Sequence, residues 1–302
     1  MKISIHTSSF GQYDPTPLHR LKTRKIKYIL NPYGRKLNKQ EVISLSRGVQ
    51  GIVAGTENLD RNVLLKLPGL KVISRCGVGL DNIDLDVART LGIQVFVTND
   101  APTMAVAELT IGMIFDLLRN ISSMNQKVKA GAWEKQMGHL LFGKKIGIIG
   151  FGKIGQKVAE LMPAFNVQLA YYDVRRISVA KTVPFKNLNS LLGWADIVTL
   201  HVSSEAMGLP LVGKKEISRM KRGSWLINTS RGNVIDEKAI CDALKSGHLA
   251  GVAIDAFNQE PYRGPLTHFP QAILTPHIGS YALESRVQME KQAVENLIRG
   301  LK

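Results

Sequence analysis

The amino-acid sequence predicts an α/β protein with two doubly wound domains, each built on a parallel β-sheet. Short apolar runs alternate with helical patterns in the first part of the chain, which is typical of a parallel sheet with helices on both faces. One long helical stretch interrupts this alternation, and a second alternation follows it. With 302 residues, each of the two domains has enough chain for a core of its own.

The predicted elements follow in chain order. The first group of strands covers residues 2–7, 27–30, 51–55, 71–75 and 94–98, with helices between them, for example at 59–66 and 84–91. We predict one long helix over 101–133, because Pro102 and Gly131 bracket an uninterrupted helical pattern. The second group of strands covers 145–150, 168–173, 196–200, 224–228, 251–256 and 272–275, and a last helix covers 281–300.

Composition and charge limit the classes of function. Hydrophobic residues make up 44% of the chain and no apolar run could span a bilayer, so we expect a globular protein without a membrane partner. The net charge is +16, and residues 1–50 hold ten Lys or Arg against two acids. These cations form no recognisable nucleic-acid motif, which favours a solvated surface over a nucleic-acid partner. Cys76 and Cys241 stand far apart, which indicates a cytoplasmic location.

A glycine-rich segment predicts a dinucleotide site in the second alternation. Gly150, Gly152 and Gly155 follow an apolar strand and open a helical pattern. The first glycine permits a tight turn, the second lets the backbone approach a pyrophosphate, and the third permits close packing of helix and strand. Lys153 and Ile154 lie between the second and third glycines and belong to the same predicted site, where the free N–H groups of the helix favour phosphate.

Asp173, at the end of the next predicted strand, favours NAD as the coenzyme. An acidic side chain at this place hydrogen-bonds the adenosine ribose hydroxyls and disfavours a 2′-phosphate. Arg175 and Arg176 follow closely and could bind such a phosphate, so the sequence leaves NADP open as well.

Three later segments each follow a predicted strand: INTSRGNVID, AIDAFNQEP and LTPHIG. Their residues Arg231, Glu260 and His277 could meet in one crevice, because the carboxyl ends of parallel strands share one edge of the sheet. Together with ISRCGVGLDNID (73–84), VAELTIG (106–112) and the glycine loop, these segments resemble the D-2-hydroxyacid dehydrogenase family over nearly the whole chain. The similarity includes the D-3-phosphoglycerate dehydrogenase branch of that family.

The resemblance implies an NAD-dependent oxidoreductase that transfers hydride between nicotinamide and a D-2-hydroxy acid or 2-keto acid, a small anionic substrate. His277 would exchange the hydroxyl proton, because imidazole titrates near neutral pH. Glu260 would hold the imidazole in one tautomer and stabilise its charged form. Arg231 would bind the substrate carboxylate. An alternative is a coenzyme-sensing binding protein of the corepressor type, with little turnover.

The resemblance also implies contacts outside the catalytic trio. Val78 and Gly79, in the loop after the fourth strand, would offer backbone N–H groups to the substrate carboxylate. His201, Thr229 and Asp255 would lie at the coenzyme, with Asp255 near the nicotinamide amide.

The domain organisation implied by the resemblance is split. A Rossmann NAD-binding domain, residues 99–276, is inserted in a flavodoxin-like substrate domain formed by 1–98 and 277–302, and the long helix forms a homodimer. After the third strand, phosphoglycerate dehydrogenases carry arginines for the substrate phosphate. This chain has Thr56 and Glu57 there, and an acidic side chain would be a poor phosphate partner, so the identity of the 2-hydroxy acid stays open.

Overall fold

The computed structural model describes residues 1–177, 183–202 and 210–302. Its β-strands are β1 (Lys2–Ile5), β2 (Lys27–Leu30), β3 (Gly51–Ala54), β4 (Val72–Arg75), β5 (Gln94–Val97), β6 (Lys145–Ile149), β7 (Gln168–Tyr172), β8 (Ile197–Leu200), β9 (Ser224–Asn228), β10 (Leu249–Ile254) and β11 (Ala272–Leu274). Its α-helices are α1 (Thr16–Thr23), α2 (Lys39–Leu45), α3 (Arg61–Leu64), α4 (Leu85–Thr90), α5 (Thr103–Arg119), α6 (Ile121–Lys129), α7 (Lys153–Leu161), α8 (Leu188–Trp194), α9 (Lys214–Arg219), α10 (Glu237–Lys245) and α11 (Leu283–Gly300). Short 3₁₀ helices lie at Met162–Phe165, Gly232–Val234 and Pro265–His268.

The chain divides into two compact units. The first unit joins Met1–Pro102 to Ser280–Lys302, and the second is Thr103–Gly279. Each unit holds one parallel sheet with helices around it, so the predicted fold class is confirmed. The domain boundaries predicted from the sequence are 98/99 and 276/277.

The first unit has the strand order β2-β1-β3-β4-β5, which is the flavodoxin-like order. All residues of β3 are buried, as expected for a central parallel strand covered on both faces. The last helix, α11, packs on β3, β4 and β5. Its side chains Val294 and Leu297 share a core with Ile3 and Ile5 of β1.

The second unit has the strand order β11-β10-β9-β8-β6-β7, with every pair parallel. The order reverses at β6, which has β7 on one side and β8 on the other. Ligands of doubly wound proteins bind outside the carboxyl ends of the strands at such a reversal. Gly150 follows β6 there and His201 follows β8, so both lie at the expected ligand edge.

Local sequence signals explain where several helices begin. An Asn or Asp side chain accepts a hydrogen bond from the first turn at the start of α2, α3, α4, α8 and α10; these residues are Asn38, Asp60, Asp84, Asn187 and Asp236. Such caps satisfy N–H groups that have no partner within the helix. At α2, the Glu41 carboxylate in turn accepts the backbone N–H of Asn38, which completes a capping box.

The prediction of one helix over 101–133 is wrong. Asn120 has a left-handed backbone with φ of +53°, which ends α5 at Arg119 and starts α6 at Ile121. Asparagine tolerates this conformation better than most residues. The Asp116 carboxylate accepts the Ser122 N–H at 2.7 Å and also bonds the Ser122 hydroxyl, so the new helix start is capped from the preceding helix. The helical pattern alone gave no sign of this break.

Candidate active site

The glycine loop connects β6 to α7 in the second unit. Gly150 has φ of +88°, and a Cβ on it would lie 2.5 Å from the carbonyl oxygen of His201. A Cβ on Gly155 would lie 2.2 Å from the carbonyl oxygen of Gly150, so these two positions require glycine. Gly152 differs, since a Cβ there would meet no atom within 4 Å. It is the N-cap residue of α7 and has no side-chain cap.

This arrangement suits a dinucleotide. The open side of Gly152 lets a phosphate approach the backbone, and the N–H groups at the start of α7 favour an anion. Lys153 and Ile154 are the first two residues of that helix. The fold and the donor groups therefore fit NAD at the predicted position.

Asp173 lies against the glycine loop. Its Oδ2 accepts the backbone N–H of Phe151 at 2.7 Å, and its Oδ1 accepts that of Arg175 at 3.2 Å. The carboxylate is thus fixed between the first βα turn and the end of β7. The side chains of Arg175 and Arg176 are exposed.

His277 and Glu260 form a close pair in the second unit. His277 Nδ1 lies 2.9 Å from Glu260 Oε1 and 3.1 Å from Oε2. Glu260 Oε1 also accepts the backbone N–H of Phe257 at 3.1 Å. Both side chains are about 40% exposed, so the pair is accessible to a small molecule. With Nδ1 bonded to Glu260, Nε2 is the ring nitrogen left to exchange a proton with a substrate.

The backbone at His277 is unusual. Its φ is +55°, in the left-handed region that non-glycine residues rarely adopt. Buried Asp255 holds the flanking residues: it accepts the Thr275 hydroxyl at 2.6 Å and the backbone N–H groups of Ile278 and Gly279 at 2.7 and 2.8 Å. Residues held in such a conformation cluster at functional sites. The prediction that Asp255 contacts the coenzyme stays a prediction, and the bonds seen here are all to the turn that carries His277.

Arg231 follows β9 and lies near the loop that carries Glu260. Its Nη1 donates to the carbonyl oxygen of Ser230 at 2.8 Å. A Cβ on the next residue, Gly232, would lie 2.1 Å from the Phe257 carbonyl carbon and 2.2 Å from Asn258 N. This close approach of two backbones leaves no room for a side chain at position 232, which explains why glycine stands there. It also places the backbone after Arg231 against the backbone at Phe257, near Glu260.

His201, which is partly exposed, and the buried Thr229 belong to a chain of polar side chains at the same end of the sheet. The Thr229 hydroxyl lies 3.1 Å from that of Thr110 and 3.5 Å from His201 Nδ1, and His201 Nε2 lies 3.0 Å from the Thr199 hydroxyl. Burial lowers the pKa of the His201 imidazole to about 3. The imidazole of His201 is therefore neutral at pH 7.

Val78 and Gly79 lie in the first unit, in the loop after β4 (residues 77–82), which we call the substrate loop after the role that the sequence predicts for it. Two hydrogen bonds join the start of this loop to Thr98. Gly77 N–H donates to the Thr98 hydroxyl at 2.8 Å, and Thr98 N–H donates to the Gly77 carbonyl at 3.0 Å. Val78 is exposed. The Glu57 carboxylate, in contrast, is buried and bonded to His6, so it does not face a substrate of the first unit.

Two classes of site find no support in the part of the chain that the structure describes. No group of three or more His, Cys, Asp or Glu side chains is placed to hold a metal ion there. Within the same residues, no helix combines the length and the apolar character needed to cross a bilayer.

Comparison with known proteins agrees with this geometry. Residues 111–279 match the family model described as D-isomer specific 2-hydroxyacid dehydrogenase, NAD binding domain. A glyoxylate reductase of Thermofilum pendens is 40% identical over 259 residues, which cover 82% of this chain and 76% of that protein. A D-3-phosphoglycerate dehydrogenase of Escherichia coli is 38% identical over 251 residues, 80% of this chain but only 61% of that protein. The crystal structure of the TT0316 protein from Thermus thermophilus has a TM-score of 0.93 at 33% identity, covering 100% of this chain and 97% of that one.

Proposed function

Because this chain belongs to the D-isomer specific 2-hydroxyacid dehydrogenase family, we propose that His277, Glu260 and Arg231 carry out its reaction. As a member of that family it is an NAD-dependent enzyme that transfers hydride between nicotinamide and a D-2-hydroxy acid or 2-keto acid. The alternative of a coenzyme-sensing binding protein is not favoured, since the similar proteins are named as enzymes.

His277 is the proposed acid/base group. When bound, NADH supplies hydride to the keto carbon, and NAD⁺ accepts it in the reverse direction. In the reduction, His277 Nε2 gives a proton to the carbonyl oxygen, which becomes the hydroxyl of the product; in the oxidation it takes that proton back. Glu260, bonded to Nδ1, keeps the ring in the tautomer and orientation that this transfer needs, and it stabilises the imidazolium.

Arg231 and the substrate loop are proposed to hold the substrate. A guanidinium binds a carboxylate through two parallel hydrogen bonds and polarises the neighbouring carbonyl. The backbone N–H groups of Val78 and Gly79 are proposed as further hydrogen-bond donors to the substrate. In this proposal Met1–Pro102 with Ser280–Lys302 is the substrate domain, and Thr103–Gly279 is the coenzyme domain.

The coenzyme is proposed to contact residues around the reversal of strand order in the second unit. These are Gly150, Gly152, Lys153, Ile154, Gly155, Asp173, His201, Thr229 and Asp255. The supporting observations are the open approach to Gly152 and the fixed Asp173 carboxylate beside it.

The names of the similar proteins suggest two candidate substrates, glyoxylate and D-3-phosphoglycerate. The reacting part of either molecule fits the proposed site, since each has a carboxylate bonded to a carbon that carries an oxygen. They differ in the rest of the molecule, so the catalytic trio alone does not choose between them.

The observation that carries the proposed roles is the 2.9 Å contact between His277 Nδ1 and Glu260 Oε1. The test is NADH oxidation with a panel of 2-keto acids, comparing wild type with His277→Ala and with the control His268→Ala, an exposed histidine of the same unit. We expect turnover to disappear only in His277→Ala. Full activity in that variant would remove His277 from the reaction.

We also propose a homodimer, formed by the segment after α6. Residues 133–142, here called the apolar arm, expose large side chains, with Trp133 83% and Met137 94% accessible. Exposed apolar patches of this kind mark protein interfaces. Light scattering should give a dimer for wild type and a monomer for Met137→Asp, while the control Leu65→Asp on the first unit stays dimeric. A monomeric wild type would end this proposal.

We place the protein in the cytoplasm, again as a proposal. Cys76 and Cys241 are both buried free thiols, which a reducing compartment permits. Fractionation of cells that produce the untagged protein should find it with the cytoplasmic markers.

A further inference from the structure

A buried polar cluster lies at the carboxyl ends of β1 and β3, and no step of the proposed reaction uses it. His6 and Glu57 are only 2% and 1% exposed, and His6 Nδ1 lies 2.9 Å from Glu57 Oε1. Both carboxylate oxygens accept the backbone N–H of Gly55, at 3.0 and 2.9 Å. His6 Nε2 lies 2.9 Å from the Ser4 hydroxyl and 2.8 Å from the Ser46 hydroxyl. Each polar side-chain atom of the pair thus has a partner.

Glu57 is charged within this cluster. Burial raises the pKa of its carboxyl, but the hydrogen bonds from His6 and from the backbone N–H of Gly55 outweigh burial, so the net pKa is below the ordinary value. A buried carboxylate that loses its partners is strongly destabilised. The pair therefore holds the ends of β1 and β3 in one arrangement.

The Glu57 side chain also sets the path of its own backbone. A Cβ on Gly55 would lie 2.9 Å from Glu57 Oε2 and 3.2 Å from Thr7 Cγ2. The carboxylate thus folds back over Gly55 in a space that a side chain would fill. Segment 55–57 is therefore a tight loop whose backbone surrounds the buried Glu57 carboxylate.

Asn82 connects this loop to the substrate loop. Asn82 Nδ2 donates to the carbonyl oxygen of Glu57 and, at 3.3 Å, to that of Gly55. In return, the backbone N–H of Leu59 donates to the Asn82 carbonyl at 2.7 Å, and Asp84 N–H donates to the Leu59 carbonyl at 3.1 Å. The end of the substrate loop is therefore bonded to segment 55–59 in both directions.

We propose that His6 and Glu57 are positioning residues for substrate binding, acting through Asn82 on the substrate loop. They hold the N–H groups of Val78 and Gly79 in place before the substrate carboxylate arrives. This inference rests on the role given above to the substrate loop. A preordered loop loses less conformational entropy on binding. The substrate loop would hold the substrate carboxylate equally before and during hydride transfer. Loss of order in this loop should therefore raise KM and leave kcat unchanged.

Steady-state kinetics on the full chain tests the proposal. With the 2-keto acid that wild type reduces best, Glu57→Ala should raise KM about tenfold or more and change kcat less than about twofold. The Kd of NADH should not change. Glu57→Gln should show a smaller rise in KM, because its amide oxygen still accepts the Gly55 N–H.

Ser74→Ala is the matched control. The Ser74 hydroxyl is fully buried in the same unit and donates to the Ala293 carbonyl of α11 at 2.7 Å, outside the His6–Glu57 cluster. Its loss should lower the melting temperature without raising KM. If Glu57→Ala lowers kcat, NADH affinity and melting temperature together, the effect is general unfolding and the proposal is overturned.

Amide hydrogen exchange gives a readout that does not depend on turnover. In Glu57→Ala, the amides of residues 78–82 should exchange at least about tenfold faster than in Ser74→Ala, while those of β4 keep their protection. Unchanged exchange in the substrate loop would overturn the proposal. If wild type reduces no 2-keto acid at all, the proposed function fails, and the exchange rates still decide whether the cluster orders the loop.

Discussion

Asp255 Oδ1 accepts the backbone N–H of Ile278 at 2.7 Å, directly after His277 in the chain. The other carboxylate oxygen accepts the N–H of Gly279 at 2.8 Å. A buried acid thus fixes the segment that carries the proposed catalytic imidazole, although its own carboxylate points to the backbone. The left-handed φ of His277 depends on this support.

Asp255→Asn should therefore lower kcat by between about 10- and 100-fold, because a carboxamide cannot accept bonds at both of its terminal atoms and His277 will shift. Rapid-mixing measurements of the single-turnover rate would check this. Asp116→Asn is the control, since Asp116 also accepts two bonds, from Ser122, in the same unit. An Asp255→Asn rate equal to that of the control would mean that the turn holds without the carboxylate.

Glu260→Gln should lower kcat by about 10²-fold or more while NADH still binds. The amide keeps the size of the side chain but cannot stabilise an imidazolium. Glu160→Gln, an exposed acid paired with Lys157, serves as control and should behave as wild type. Comparable kcat values for the two variants would contradict the orienting role of Glu260.

The two glycines of the coenzyme loop should respond differently to alanine. A Cβ on Gly155 would lie 2.2 Å from the Gly150 carbonyl oxygen, so Gly155→Ala should lower the melting temperature. Gly152→Ala meets no protein atom within 4 Å, so it should leave stability unchanged and raise the Kd of NADH. Calorimetric melting and NADH fluorescence titration measure the two effects. Unchanged NADH affinity in Gly152→Ala would argue against phosphate binding at this position.

His201 should lower the stability of the folded protein in mild acid. Its pKa is about 3 in the folded chain, against about 6.5 for an ordinary histidine. Between these values the unfolded chain binds the proton and the folded chain does not, so stability is full above pH 6.5 and is lost as pH falls toward 3. The slope is at most about 1.4 kcal/mol per pH unit.

Urea unfolding at pH 7, 5.5 and 4.5 would measure this slope. His201→Gln should be less sensitive to acid than wild type, whereas the control His268→Ala should keep the full slope. Identical slopes in all three proteins would show that His201 is protonated without cost.

Local patterns in the sequence account for the fold class and for the shape of the glycine loop. Parallel strands appear as short apolar runs because both faces are covered, and the turn at Gly150 needs a residue that accepts φ of +88°. The break at Asn120 could not be predicted, because it depends on the Asp116 side chain capping the next helix. The helical pattern on each side is the same with or without that bond.

Two other features that depend on partners distant in the sequence were also not predictable. His6 and Glu57 stand far apart in the chain and meet only because β1 and β3 are neighbours in the sheet. A polar residue after an apolar strand gives no sign of which distant side chain it will contact. The resemblance places Asp255 near the coenzyme, and no pattern in the sequence indicates its bonds to the backbone after His277.

The position of α11 determines the order in which the chain can fold during synthesis. Thr103–Gly279 is a compact unit in itself, and its core contains no residue of α11. The first unit has to wait, because Val294 and Leu297 cover Ile3 and Ile5. Ile3 and Ile5 are synthesised long before Val294 and Leu297, so their apolar side chains stay exposed to chaperones and to other nascent chains until α11 has been made.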